Sequence, residues 1–188
     1  MRLFFAVTLP DEIIARVAEA QHNLRKAIGD EGVKWTRPEQ FHYTLRFLGE
    51  LPTPQAHIAI EIAQAVAADT QEFDFTLSGI GAFPNNQRPS TIWIGAGTGM
   101  EPLTNLANLL EWRLQRAGFR KEKQVFNAHL TILRIKGYAG EVAAVKALKN
   151  AERGELGTVR VNRFVLMQSV LKPTGSVYAV VEEFRLWE

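Results

Sequence analysis

The chain has 188 residues, 46% of them hydrophobic and 22% charged, with no cysteine, a net charge of +2 and an isoelectric point of about 9.0. That mix fits one globular domain, or two tightly packed lobes, able to bury a core without covalent staples. It excludes disulfides, thiolate nucleophiles and cysteine-type zinc sites. No apolar run nears the roughly 18 residues that span a membrane, and the mild basicity admits a phosphate-bearing ligand without requiring one.

Leu3 to Leu9 reads as a short buried strand closed by Pro10. Its brevity, and the Pro10-Asp11-Glu12 that follows, make a poor secretory signal, so we expect a cytoplasmic protein. A helix follows from Asp11, with Ile13, Ile14, Val17, Leu24 and Ile28 at helical spacing and Gly29 and Gly32 as its stop. Trp35 to Gln40 reads as a connection, and Phe41 to Leu48 as a strand ended by Gly49. Thr53 and Pro54 are the expected N-cap and first-turn proline of a helix through Ile58, Ile62 and Val66. Phe73 to Ile80 is the next strand, and Phe83 to Ser90 is the loosest segment of the chain.

The order then recurs. Thr91 to Ile94 reads as a strand, and Leu103, Leu106, Leu110 and Leu114 share one face of a helix with Gly118 just past its end. Arg113 to Lys123 is the densest basic stretch, read as a solvated helix end and loop. Gly95 to Gly99 resembles a phosphate loop but lacks the dinucleotide spacing, and reads as a turn. Val125 to Leu133 is a strand, a helix runs near Val142, Val145 and Leu148, and strands at Thr158 to Leu171 and Val177 to Phe184 finish the chain. Each half is therefore strand, helix, strand, helix, strand. We expect an α+β repeat over about 1–83 and 88–171, with a closing strand at 177–185. The two lobes should pack about a pseudo-two-fold axis as one bilobal domain, with a ligand cleft between them.

Four histidines are present. His22 and His57 fall in helical patterns without polar companions and read as surface residues. His42 and His129 each stand two residues before a threonine on an apolar strand, so His42 shares a face with Thr44, and His129 with Thr131. Counting from one histidine to the other gives an offset of 87, the same as from Phe5 to Ile92. A two-fold axis would bring two such motifs together. Paired imidazoles titrating near neutrality can deprotonate a nucleophile and protonate a leaving group at once. Threonine hydroxyls and a nearby arginine can hold the charged oxygens of a phosphoryl group. Neither motif brings carboxylates to the same face, so we expect no metal site and no cofactor.

These residues resemble the 2H phosphoesterase superfamily, in particular its 2′-5′ RNA ligase-like branch, the RNA 2′,3′-cyclic phosphodiesterases. The resemblance rests on Arg2 to Val7, on Trp35 to Glu50 around His42-Tyr43-Thr44-Leu45, and on His129-Leu130-Thr131-Ile132-Leu133-Arg134. It implies two antiparallel sheets flanked by helices, and metal-independent hydrolysis of RNA 2′,3′-cyclic phosphate ends to 2′-phosphates. It implies His42 as proton donor, His129 as proton acceptor, and Thr44, Thr131 and Arg134 as phosphate ligands. Strict alternation puts Arg134 opposite His129 and Arg46 on the face of His42. A bulge or strand end after Leu133 would return Arg134 to the site, and Arg46 is a further candidate. Three alternatives stand beside this reading: 2′-5′ ligation by the reverse reaction, ring opening of a small cyclic nucleotide, and a non-enzymatic module that binds RNA ends. We expect a monomer with RNA as partner and no membrane association. Trp35, Phe5 and Tyr138 are read as core aromatics rather than base-stacking platforms.

Overall fold

The computed structural model of the chain describes all residues except 152, 153 and 174. In the first half, β1 (Arg2–Thr8), α1 (Asp11–Ile28), β2 (Val33–Trp35), β3 (His42–Glu50), α2 (Thr53–Ala68) and β4 (Phe73–Phe83) follow in order. In the second come β5 (Thr91–Ala96), α3 (Met100–Arg116), β6 (His129–Ile135), α4 (Tyr138–Asn150), β7 (Glu155–Val161), β8 (Arg163–Lys172) and β9 (Gly175–Arg185). Two antiparallel sheets result, ordered β3-β1-β8-β9 and β2-β6-β5-β4-β7. Helices α2 and α3 pack on each other, as do α1 and α4. The main core runs continuously beneath the helix-facing sides of both sheets. The opposite faces look into a shared cleft. Among the described residues no helix is long and apolar enough to cross a membrane.

The two halves exchange strands. β8, from the second half, lies beside β1, while β4, from the first, lies beside β5. The sheets therefore do not coincide with the sequence halves. Tyr43 adds a polar tie: its buried phenol donates to the carbonyl of Gly95 on β5 at 2.9 Å.

Several local expectations change. The stretch read as one strand over Thr158 to Leu171 is two strands in different sheets, broken at the exposed Asn162. Apolar residues on both sides mask that crossing. The strand expected from Val125 begins at His129, because Val125 is 93% exposed and pairs with nothing. Val33–Trp35, within and before the expected connection, is a strand against β6. Thr53 is not a cap: the amide of Ala56 already bonds to the carbonyl of Pro52, which starts the helix one residue earlier. Phe5 is in the core, whereas Tyr138 is exposed and Trp35 lines the cleft.

Two bulges decide which side chains reach the cleft. Ala6 pairs with Thr44 and Phe5 with Arg46, leaving Leu45 extra. Trp93 pairs with Thr131 and Ile92 with Leu133, leaving Ile132 extra. Leu45 and Ile132 are equivalent in the repeat. One inserted residue shifts the alternation by one, so every side chain beyond it changes face. Phe47 and Arg134 thereby return to the histidine face, and Arg46 and Leu133 turn into the core.

Gln21 of α1 secures the second bulge. Its buried amide donates to the carbonyls of Ile132 and Thr36, both at 2.7 Å. Gln21→Leu leaves both without that donor, and we expect a loss of about 1–3 kcal/mol in urea unfolding at pH 7. An unchanged midpoint would mean that the bulge holds without Gln21.

Candidate active site

β3 and β6 approach each other where the two sheets meet, and each opens with a histidine. His42, Thr44, His129, Thr131 and Arg134 all line one cleft of about 520 Å³. Arg46 does not. It is 7% exposed and forms a buried ion pair with Glu111, with further bonds to the carbonyls of Phe47 and Arg120 and to Glu122 at 3.5 Å. His22 and His57 are exposed on helices.

Both imidazoles are held the same way. Nδ1 of His42 lies 2.7 Å from the carbonyl of Gln40, and Nδ1 of His129 lies 2.7 Å from the carbonyl of Asn127. A carbonyl can only accept, so each Nδ1 carries a proton and each Nε2 is left to do chemistry. The Thr44 hydroxyl lies 3.0 Å from Nε2 of His42. It donates to the neutral ring; when Nε2 is protonated, that hydroxyl proton is free for another acceptor.

Burial pushes the His42 pKa down from 6.5 to about 4, against the raising effect of the Gln40 carbonyl, and the neighbouring His129 lowers it further. His129 is also lowered, first by burial and then by Arg134, with the Asn127 carbonyl opposing. The free site therefore holds two neutral imidazoles near neutral pH. Folding stability depends on pH as a result. A histidine whose folded pKa lies below its unfolded value stabilises the fold fully above the unfolded pKa, and that contribution is lost as pH falls. We expect at most about 3 kcal/mol to disappear for His42 between pH 6.5 and about 4. Urea melts at pH 7 and pH 4 on the native chain and on His42→Gln check this; equal acid losses in both proteins would refute it.

The two sides of the cleft differ at equivalent positions. On one, Phe4 stacks on Phe47 with ring centroids 5.8 Å apart, and Tyr178 meets His42 edge-on at 5.3 Å. On the other, Thr91 and Arg134 take the places of Phe4 and Phe47, and the guanidinium donates to the Thr91 hydroxyl at 3.4 Å. At these equivalent positions one side is thus aromatic and the other polar and cationic, although Arg2 lies over Phe47 at 5.2 Å and Phe83 meets His129 edge-on at 4.9 Å. Among the described residues no aspartate or glutamate lines the cleft, and no cluster of three metal-ligating side chains occurs. Motif reading did not find Phe4, Phe47 or Tyr178. The 87-residue offset carries a signal for Phe47, the counterpart of Arg134; Tyr178 arrives from β9 with no signal in the sequence.

The chain matches the family model of LigT like phosphoesterases twice, over residues 7–93 and 94–178. A relative from Archaeoglobus fulgidus, named RNA 2′,3′-cyclic phosphodiesterase, is 38% identical over 98% of this chain and 99% of its own. Another of that name, from Aeropyrum pernix, is 39% identical over 86% of this chain and 92% of its own. A crystal structure of a Thermus thermophilus protein superposes with a TM-score of 0.82 at 30% identity, covering 99% of this chain and 98% of that one. The structure of E. coli LigT complexed with 3′-AMP gives 0.79 at 25% identity, over 100% and 98%. The duplicated match and the paired histidine motifs agree: the chain belongs to the LigT-like branch of the 2H phosphoesterases.

Proposed function

We propose that this protein hydrolyses the 2′,3′-cyclic phosphodiester at RNA ends, leaving a 2′-phosphate, by paired-histidine acid–base catalysis without a metal ion. The observation that carries this reading is that two imidazoles, each fixed by an Nδ1–H bond to a carbonyl, line one cleft together with Arg2, Lys34, Arg134 and Lys136. The relatives' names give the substrate class, and a lining rich in cations, with no carboxylate among the described residues, suits a phosphate anion.

In the proposed reaction, water attacks phosphorus in line with the 3′ oxygen. One Nε2 removes a proton from the water, the bond from phosphorus to the 3′ oxygen breaks, and the other Nε2 delivers a proton to that oxygen. Thr44, Thr131 and Arg134 hold the non-bridging oxygens as charge builds. His42 as donor and His129 as acceptor is the assignment the family resemblance implies. The depressed His42 pKa means that this donor is charged by the substrate: the incoming phosphate anion favours its imidazolium.

The test uses a short RNA ending in a 2′,3′-cyclic phosphate, with the product identified as 2′-phosphate. Turnover persisting in excess chelator supports the proposal, and loss of turnover there removes the metal-independent mechanism. An aryl phosphodiester separates the roles, because its phenolate leaves without a proton. The variant lacking the acid histidine recovers on it, and the variant lacking the base does not. Tight binding of cyclic-ended RNA with no turnover would favour an end-binding module instead.

A further inference from the structure

We propose that Lys34 and Lys136 form a second phosphate subsite, which takes the phosphate on the 5′ side of the terminal nucleoside. This rests on the reading of the histidine pair as the cyclic-phosphate site.

Lys34 and Arg134 face each other directly in the β2–β6 ladder. Lys136 stands two residues beyond Arg134 with no bulge between them, so it shares Arg134's face. All three side chains are exposed and line the cleft. Like charges directly opposite across a ladder repel and destabilise the pair. Some exposed arginines elsewhere are relieved by carboxylates, as in Arg25–Asp30 and Arg160–Glu72. None of the ion pairs among the described residues involves Lys34, Arg134 or Lys136. Such a patch, left without acids in a cleft, is relieved by bound anions.

One phosphate does not account for it. Arg134 is tied to Thr91 and acts on His129, so it belongs to the reacting phosphate. Two strand residues carry the chain about 6–7 Å, which places Lys136 roughly one ribose further along, the spacing of successive phosphates in a nucleotide chain. Gly175, at the tip of the β8–β9 hairpin, borders the patch: a Cβ there would come 3.2 Å from Nζ of Lys34. The ligand chemistry is a phosphate mono- or diester joined to the terminal 5′ oxygen.

The experiment compares three substrates: a nucleoside 2′,3′-cyclic phosphate, the same molecule bearing a 5′-phosphate, and a dinucleotide ending in the cyclic phosphate. In the native protein we expect kcat/KM on the second and third to exceed the first by about tenfold or more, chiefly through KM. A rise on the third alone assigns the subsite to a diester, and a rise on both admits a monoester. In the Lys34→Gln/Lys136→Gln protein this advantage falls to near one. Equal losses on all three substrates, or none, overturn the proposal.

A binding arm needs no turnover and so separates failure of the subsite from failure of the proposed reaction. For a dinucleotide ending in a 2′-phosphate, the slope of log affinity against log salt falls by about 0.7 in the double variant, the share of one phosphate on a single strand. An unchanged slope rejects the subsite. Removing the repulsion also predicts a melting temperature equal to or above that of the native chain, and a lower one contradicts the argument.

Discussion

His42→Ala and His129→Ala should each lower kcat on a cyclic-phosphate-ended RNA by about 10²–10⁴, the usual contribution of a positioned acid or base. The two losses should not multiply in the double variant, because acid and base act in one step. The pH dependence is more specific. Productive chemistry needs one imidazole charged and one neutral, so activity follows the singly protonated pair. In the free protein burial, with His129 beside it, pushes His42 to about 4, and burial with Arg134 beside it holds His129 below its ordinary value. The kcat/KM profile should therefore be a bell on the acidic side of 6.5, falling as neutrality is reached. The kcat profile reports the bound complex, where the phosphate anion favours imidazolium, and its bell should lie at higher pH. Initial rates across about pH 4–9 under both regimes check this. Two superimposable profiles would mean that the substrate does not charge the site.

Arg46 should affect stability rather than catalysis. Arg46→Met leaves Glu111 half-buried beside the Glu122 amide without its guanidinium, and we expect a loss of about 3 kcal/mol. Replacing both partners, as Arg46→Met with Glu111→Leu, should recover much of it, since the two desolvation costs vanish together. Desolvation alone pushes the Glu111 carboxyl up, but the Glu122 amide and the Arg46 guanidinium outweigh it and hold it low. Its folded pKa thus lies below the unfolded value, so its contribution is present above the ordinary carboxylate range and disappears as pH falls through that range. A double-mutant cycle in urea at pH 7 measures the coupling. Steady-state KM provides the contrast: a phosphate ligand would raise KM on substitution, whereas the observed placement predicts the native KM in folded Arg46→Met.

Arg46 and Arg134 also mark how far the sequence carries. Alternation alone assigns Arg46 to the site and Arg134 to the core face, the reverse of what the fold does. Equivalent bulges at Leu45 and Ile132 invert both assignments. A bulge is a property of two paired strands, and the composition of one strand does not encode the residue count on its partner.

Local sequence was enough for the α+β repeat, the positions of most helices and strands, and the pairing of each histidine with its threonine. Those features follow from apolar spacing, from glycine and proline as punctuation, and from the alternation of side chains over three residues. Long-range packing set which sheet each strand joined, the break at Asn162 between β7 and β8, and the aromatic wall built by Phe4, Phe47 and Tyr178. It also set Lys34 opposite Arg134. Each of these joins residues far apart in the chain, and the choice is made by burying whole faces together, a collective quantity that no short window of sequence contains.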